Sequence, residues 1–282
     1  MRNARFVCMP RSVEEAVAAV VEGGANPLAG ATWILRAPLR GEALAEGYAV
    51  LGGAEDLCAV EIGEAGIRIG AAVTHAALSV ALVGVEGFVG LAQAASEAAN
   101  PAVREVATVG GNLCAAGFAA SDLAPALIAA GAEVEIHSAA GVERQSVEAF
   151  LAARATRPPG WLMTRIFAPC SARLSAHARL PLRQAGDYPV AILSLSIERR
   201  ADGAIASARV AVGSVEPVAR RWPGLEQALE GQTLDPDAAA EWARARLGDF
   251  EGRDGVEAPG WYRTQVLPGL ARAAFRSLRA QV

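Results

Sequence analysis

Apolar residues first fall into step over residues 10–24, where Val13, Ala16, Val17 and Val20 recur at i, i+3, i+4 and i+7. Ser12 stands ahead of them as a cap, Glu15 completes a capping box, and Gly23 and Gly24 end the predicted helix. The run NPLAG, residues 26–30, reads as a short buried strand that feeds a glycine turn and then a helical segment through Ile34, Leu35 and Leu39. Residues 48–53 and 67–73 predict two more strands, the second leading into a helix capped by Thr74 that runs through Ala77, Leu78, Ala81 and Leu82. An alanine-rich helix follows over residues 91–100, stopped by Pro101. Residues 133–138 alternate like a half-buried strand, Gly141 marks a turn, residues 147–153 predict a short helix, and residues 161–167 a last strand.

The pattern changes across residues 168–179, where Pro169, small residues and scattered arginines mark the best domain boundary. Beyond it, residues 189–199 and 205–215 are long β-rich runs joined at Asp202-Gly203, a hairpin signal. Helical stretches follow over residues 223–230, 235–247 and 262–278. The C-terminal third therefore reads as an α+β unit, a small antiparallel sheet with helices packed on it.

One stretch fits neither period. Residues 104–127, REVATVGGNLCAAGFAASDLAPAL, set a threonine, a Gly-Gly-Asn turn, a run of small residues and an aspartate between apolar segments, a poor recipe for a strand or regular helix. Gly110 and Gly111 tolerate positive φ or close approach by another group. Consecutive N–H groups exposed in such a turn make an anion nest, to which the Thr108 hydroxyl and Asn112 amide add contacts. An ordinary tight turn has the same spelling, and local chemistry leaves the two readings even. The strand, glycine turn and helix over residues 26–35 make a second candidate cradle, with unpaired N–H groups at a helix start. Neither matches a standard nucleotide signature: there is no G-x-G-x-x-G after a first strand, no Walker lysine and no acidic residue placed for a Rossmann ribose. A diphosphate gripped from both sides by main-chain loops suits a large cofactor such as FAD.

Composition narrows the classes. The 282 residues are enough for two domains, and a net charge of −4 without a basic cluster disfavours nucleic acid and anionic membranes. Cys8, Cys58, Cys114 and Cys170 are dispersed, so this chain is expected to hold no metal. His75, His137 and His177 have no partner nearby in sequence and read as surface or capping residues. No signal segment or long apolar span is visible, and a cytoplasmic protein with reduced thiols is expected. No convincing Ser-His-Asp or Cys-His nucleophile appears, so no catalytic residue is expected.

Taken in order, PLAGATWIL, IGAAVTHAAL, NPAVREVATVGGNLCAA, SDLAPAL, RQAGDYPVA, RVAVGSVEPV and WYR resemble the FAD-binding medium subunits of molybdenum hydroxylases, among them the carbon monoxide dehydrogenase medium subunit and the xanthine dehydrogenase flavin domain. The resemblance covers nearly the whole chain. It implies an α+β fold: a PCMH/vanillyl-alcohol-oxidase-type FAD-binding domain of two α/β subdomains over residues 1–170, divided near residue 55, followed by a C-terminal domain over residues 171–282. It also implies that two loops wrap the FAD diphosphate, one through Leu28, Ala29, Gly30, Ala31, Thr32 and Trp33, the other through Ala107, Thr108, Gly110, Gly111 and Asn112. Asp122 would contact the ribose portion and Tyr188 would stand beside the isoalloxazine.

The family's usual A-G-G-[HT]-[SDN] is A-G-A-T-W here, so Ala31 adds a methyl and Trp33 removes a small polar side chain. A positive φ at Ala31 would cost on the order of 1 kcal/mol. The cysteines of the Fe–S insertion found in one branch are missing. By resemblance, a large partner subunit holds the molybdenum cofactor and a small one two [2Fe–2S] clusters, in a dimer of heterotrimers. Electrons reach this chain's FAD and leave to NAD or a quinone. The alternatives are a flavin-free scaffold subunit and a stand-alone flavin oxidoreductase of the same fold.

Overall fold

The computed structural model describes residues 6–170, 173–182 and 188–282 as three successive sheets, each with its own apolar core. The first contains β1 (Phe6–Cys8), β2 (Asn26–Leu28) and β3 (Gly47–Val50), parallel in the order β1-β3-β2. Parallel neighbours need crossovers. The predicted amphipathic helix supplies one: α1 (Val13–Val17) continues as a π-helical segment, Ala18–Glu22. Ser12 accepts the Glu15 N–H at 3.2 Å and Glu15 reaches back to the Arg11 N–H at 2.8 Å. The other crossover is a 3₁₀ helix, Ile34–Arg40, ended by Gly41 at φ 75°. Because β2 is an edge strand, it is half-buried with Asn26 exposed, not the buried strand its apolar run predicts.

The second sheet holds β4 (Val60–Gly63) and β5 (Gly66–Gly70), after which the chain makes a helical excursion: α2 (His75–Ala81), α3 (Val89–Glu97), α4 (Pro101–Arg104), α5 (Val109–Cys114) and α6 (Leu123–Ala129). It returns through β6 (Glu133–Ser138), β7 (Gly141–Ser146), α7 (Val147–Ala153) and β8 (Trp161–Pro169), closing an antiparallel sheet in the order β4-β5-β8-β6-β7. Ile67, Ile69, Val134, Ile136, Leu113 and Leu127 meet in its core. Burying each such side chain is worth roughly 1.5–3 kcal/mol. The stretch expected to be irregular thus contains α5 and α6, because Thr108 caps the first and a solid apolar run drives the second into the core. β7 escapes the pattern, since it is an exposed, polar edge strand.

The third sheet, β9 (Leu174–Pro181), β10 (Pro189–Arg199), β11 (Ile205–Gly213) and β12 (Arg220–Arg221), is antiparallel in the order β12-β11-β10-β9. α8 (Pro223–Leu229), α9 (Pro236–Arg244), α10 (Gly260–Gln265) and α11 (Leu267–Arg279) follow. The single helix expected over residues 262–278 is therefore two, separated at Val266. β9 lies where a boundary is expected, its polar-looking LSAHARLP turning four consecutive residues inward. It packs directly on α3: a Cβ at Gly90 would stand 2.8 Å from the Ala176 nitrogen, and the Gly90 N–H donates to Ser175 Oγ at 2.9 Å. Among the described residues no helix is long and apolar enough to cross a membrane.

Candidate cofactor site

The chain leaves β2 through half-buried Leu28 and Ala29, and the next residue presses on a segment far away in sequence. A Cβ at Gly30 would stand 1.8 Å from the Val106 carbonyl oxygen and 3.0 Å from Ala107 Cα. The two glycine bends are therefore in backbone contact. Ala31 follows at φ 60°, a left-handed conformation that costs a residue with a Cβ about 1–2 kcal/mol. Ala31 and Trp33 spend their carbonyls on the 3₁₀ helix, accepting the Leu35 and Arg36 N–H groups at 3.0 and 3.2 Å. The N–H groups of Gly30, Ala31, Thr32 and Trp33 have no protein acceptor among the described residues. Open donors in succession around a left-handed residue are the makings of an anion nest.

The second bend is built differently from its expected form. Val109 N–H donates to Val73 and Gly110 N–H to Ala71, each at 2.9 Å, while Gly111 N–H is capped by Thr108 Oγ1 at 3.2 Å. Asn112 N–H joins the helix through the Thr108 carbonyl at 2.9 Å. The expected run of open amides over 109–112 is thus consumed by the fold. Neither Gly110 nor Gly111 has a positive φ. Gly110 admits Ala71, whose Cβ and carbonyl oxygen would lie 2.7 Å from an added Cβ, and a Cβ at Gly111 would meet Thr108 Oγ1 at 2.8 Å. The Thr108 N–H, beside the Thr74–Thr108 bridge, has no protein acceptor among the described residues. Asn112 Oδ1 accepts the Ser121 hydroxyl, and Ser121 Oγ in turn accepts the Ala124 N–H at 3.0 Å, which ties α5 to α6.

Asp122 is almost wholly buried and clamped by β9: its Oδ1 lies 2.8 Å from Arg179 Nε and 3.4 Å from His177 Nε2. His177 Nδ1 meets Ser194 Oγ at 2.8 Å, so this histidine is a buried link and not the expected surface residue. His75 also departs from expectation. It is 2 % exposed in the first turn of α2, neither ring nitrogen has a hydrogen-bond partner, and its backbone N–H donates to the Ala107 carbonyl at 2.9 Å. Burial pushes its pKa down to about 4, against the pull of the nearby Asp122 charge. His137 is half-buried, 3.6 Å from Glu135. The signal for His75 was its place directly after an apolar strand on a helix that must pack inward.

Aromatic rings wall the first bend. The Trp33 ring lies 5.3 Å from Phe118, which meets Tyr188 edge-on at 5.2 Å. Arg40 stacks 4.0 Å over Trp33, and Arg36 Nη1 donates to the Tyr188 hydroxyl at 3.2 Å. Phe118 is not among the residues expected at the site, although it is the one ring in the small-residue run AAGFAAS. Residues 183–187 of the RQAGDYPVA string lie outside the described residues. Among the described residues no cluster of His, Cys, Asp and Glu could hold a metal.

Open backbone donors next to an aromatic wall have the chemistry to fit a diphosphate joined to a planar ring, as in a dinucleotide cofactor held outside a Rossmann crevice. Residues 2–171 match the FAD binding domain in molybdopterin dehydrogenase, and residues 177–278 the CO dehydrogenase flavoprotein C-terminal domain. The chain belongs to this family of molybdenum hydroxylase flavoprotein subunits and is an oxidoreductase component. It is 27% identical over 210 residues to the nicotine 6-hydroxylase medium subunit of Paenarthrobacter nicotinovorans, covering 73% of this chain and 72% of that protein. The xanthine dehydrogenase FAD-binding subunit of Escherichia coli O157:H7 is 26% identical over 212 residues, again 73% and 72% of the two chains. Reconstituted CO dehydrogenase from Oligotropha carboxidovorans has the same fold, with a TM-score of 0.88 at 22% identity over 99% of both chains.

Proposed function

We propose that this chain is the FAD-carrying electron-transfer subunit of a molybdenum hydroxylase complex. Its partners would be a large molybdenum-cofactor subunit and a small subunit with two [2Fe–2S] clusters, assembled as a dimer of heterotrimers. The observation that supports this reading best is the row of open amides from Gly30 to Trp33, seated against Val106 and Ala107. These residues would hold FAD, which when bound would supply the redox chemistry that links the partner's clusters to an external acceptor such as NAD or a quinone.

The chain's own residues bind and orient. The Gly30, Ala31, Thr32 and Trp33 amides would take diphosphate oxygens, with Leu28 and Ala29 shaping the approach. On the other side Thr108 would add its N–H and Asn112 its side-chain NH₂, while Ala107, Gly110 and Gly111 hold that bend in place. Asp122, fixed by Arg179, would accept from a ribose hydroxyl. Tyr188, with Phe118 and Trp33, would flank the ring system and exclude water from it. We assign the flavin domain to residues 1–170 and the second domain to 171–282, and no catalytic residue to either. A cytoplasmic complex suits the four free thiols, Cys8, Cys58, Cys114 and Cys170.

The strain at Ala31 supports one competing reading, a scaffold subunit that has lost its flavin. Copurification and an absorbance spectrum separate the readings. The proposal expects flavin bands at one FAD per chain and an Fe–S protein in the same fraction. A colourless chain that takes up no added FAD is the scaffold; one that oxidises an organic substrate alone is a stand-alone enzyme.

A further inference from the structure

Behind the aromatic wall lies a polar knot that touches none of the residues proposed to grip the diphosphate. Ser214, fully buried just after β11, is one of three non-glycine residues at positive φ among the described residues, at 63°. Each of its polar groups is engaged. The N–H donates to the Ala119 carbonyl at 3.2 Å and the hydroxyl to the Pro189 carbonyl at 2.5 Å. Its own carbonyl accepts from Arg253 Nε at 3.0 Å and Arg263 Nη1 at 3.2 Å. Arg263, from α10, is fully buried too: Nη1 also donates to the Val190 carbonyl at 2.8 Å, Nη2 faces Glu257 at 3.0 Å, and Nε has no partner.

Such an arrangement is expensive. An orphaned guanidinium N–H in the interior is costly, and Arg253 stands close enough that burial and the Arg263 charge push its pKa down. A strained serine under two guanidiniums breaks local rules that packing alone would satisfy with apolar side chains, and breaks of this kind gather where geometry must be fixed for function. What the knot fixes is legible from its acceptors. Ala119 follows Phe118 directly, and Pro189 and Val190 follow Tyr188. No backbone hydrogen bond joins these two segments to each other among the described residues, so Ser214 is their shared anchor.

We infer that Ser214 and Arg263 are positioning residues that lock Tyr188 against Phe118 and Trp33 and thereby set the wall beside the cofactor. The cofactor part of this inference rests on the function proposed above. Fluorotyrosine incorporated into the full chain gives the test, because only Tyr48, Tyr188 and Tyr262 report. Tyr188→Phe assigns the Tyr188 signal. Ser214→Gly deletes the hydroxyl but keeps the left-handed backbone and its N–H; Arg263→Lys keeps the charge but loses the fork. In both, the Tyr188 fluorine resonance should move or split in the FAD-free protein while Tyr48 stays in place, and the shift that FAD induces at Tyr188 in the parent should shrink. A Tyr188 signal unmoved in folded variants overturns the inference. If Arg263→Lys does not fold, Ser214→Gly decides alone, since glycine relieves the strain there. A Tyr188 signal that responds to the variants but not to FAD upholds the positioning role and removes only the flavin reading.

Discussion

The two glycine bends look alike as strings and behave as opposites. In the first, the amides of Gly30, Ala31, Thr32 and Trp33 have no protein acceptor among the described residues, and the backbone touches another segment at Gly30. In the second, the one with the more recognisable Gly-Gly-Asn, the amides of Val109, Gly110, Gly111 and Asn112 are all engaged inside the fold. Gly30 and Gly110 are needed so that one piece of backbone can touch another, at Val106 and Ala71 respectively. Close approach by protein and close approach by a ligand leave the same mark in a sequence, and only the hydrogen-bond accounting separates them.

The largest effect that sharpens this contrast is expected at the contact between the bends. Gly30→Ala would drive a methyl into the Val106 carbonyl, so unfolding by urea should show a loss of about 3 kcal/mol or more together with loss of FAD retention. A near-neutral change would mean the bends can separate freely. Next comes His75, behind the second bend. Its pKa falls from 6.5 unfolded to about 4 folded, so the unfolded chain binds more protons between those values. Stability is complete above pH 6.5 and is lost as pH drops toward 4, by about 3 kcal/mol from this group. His75→Gln should flatten that part of the stability profile, and an unchanged slope would contradict the burial.

A smaller effect is expected at Thr108. Thr108→Val removes the α5 cap, for about 1 kcal/mol of stability, and should loosen the bend that presents the Thr108 N–H, for roughly a tenfold weaker FAD titration. Full FAD affinity in that variant would put the cofactor elsewhere. The smallest is Ala31→Gly. Relief of the left-handed alanine outweighs the added chain entropy, so the melting temperature should rise by an amount worth up to about 1 kcal/mol. A drop would show that the methyl makes a useful contact.

Much of the fold was legible because its elements announce themselves: Ser12 and Thr74 cap as their spacing predicts, and the Asp202-Gly203 turn joins β10 to β11. What stayed hidden was hidden by tertiary contacts. β9 has an arginine and a histidine that read as surface, yet it is buried by α3 and α11. His75 and His177 have no partner along the sequence and lie inside because helix and sheet close over them. Both bends were visible, but not which of them keeps its amides open. That depends on where Val73 and Ala71 point their carbonyls, a fact of folding and not of spelling.

Hydrogen exchange of the backbone amides, with and without FAD, tests the central claim most directly. Added FAD should slow exchange at Gly30, Ala31, Thr32 and Trp33 strongly, and leave Val109, Gly110, Gly111 and Asn112, already bonded within the fold, nearly unchanged. Protection confined to the second bend, or none at the first, would contradict it.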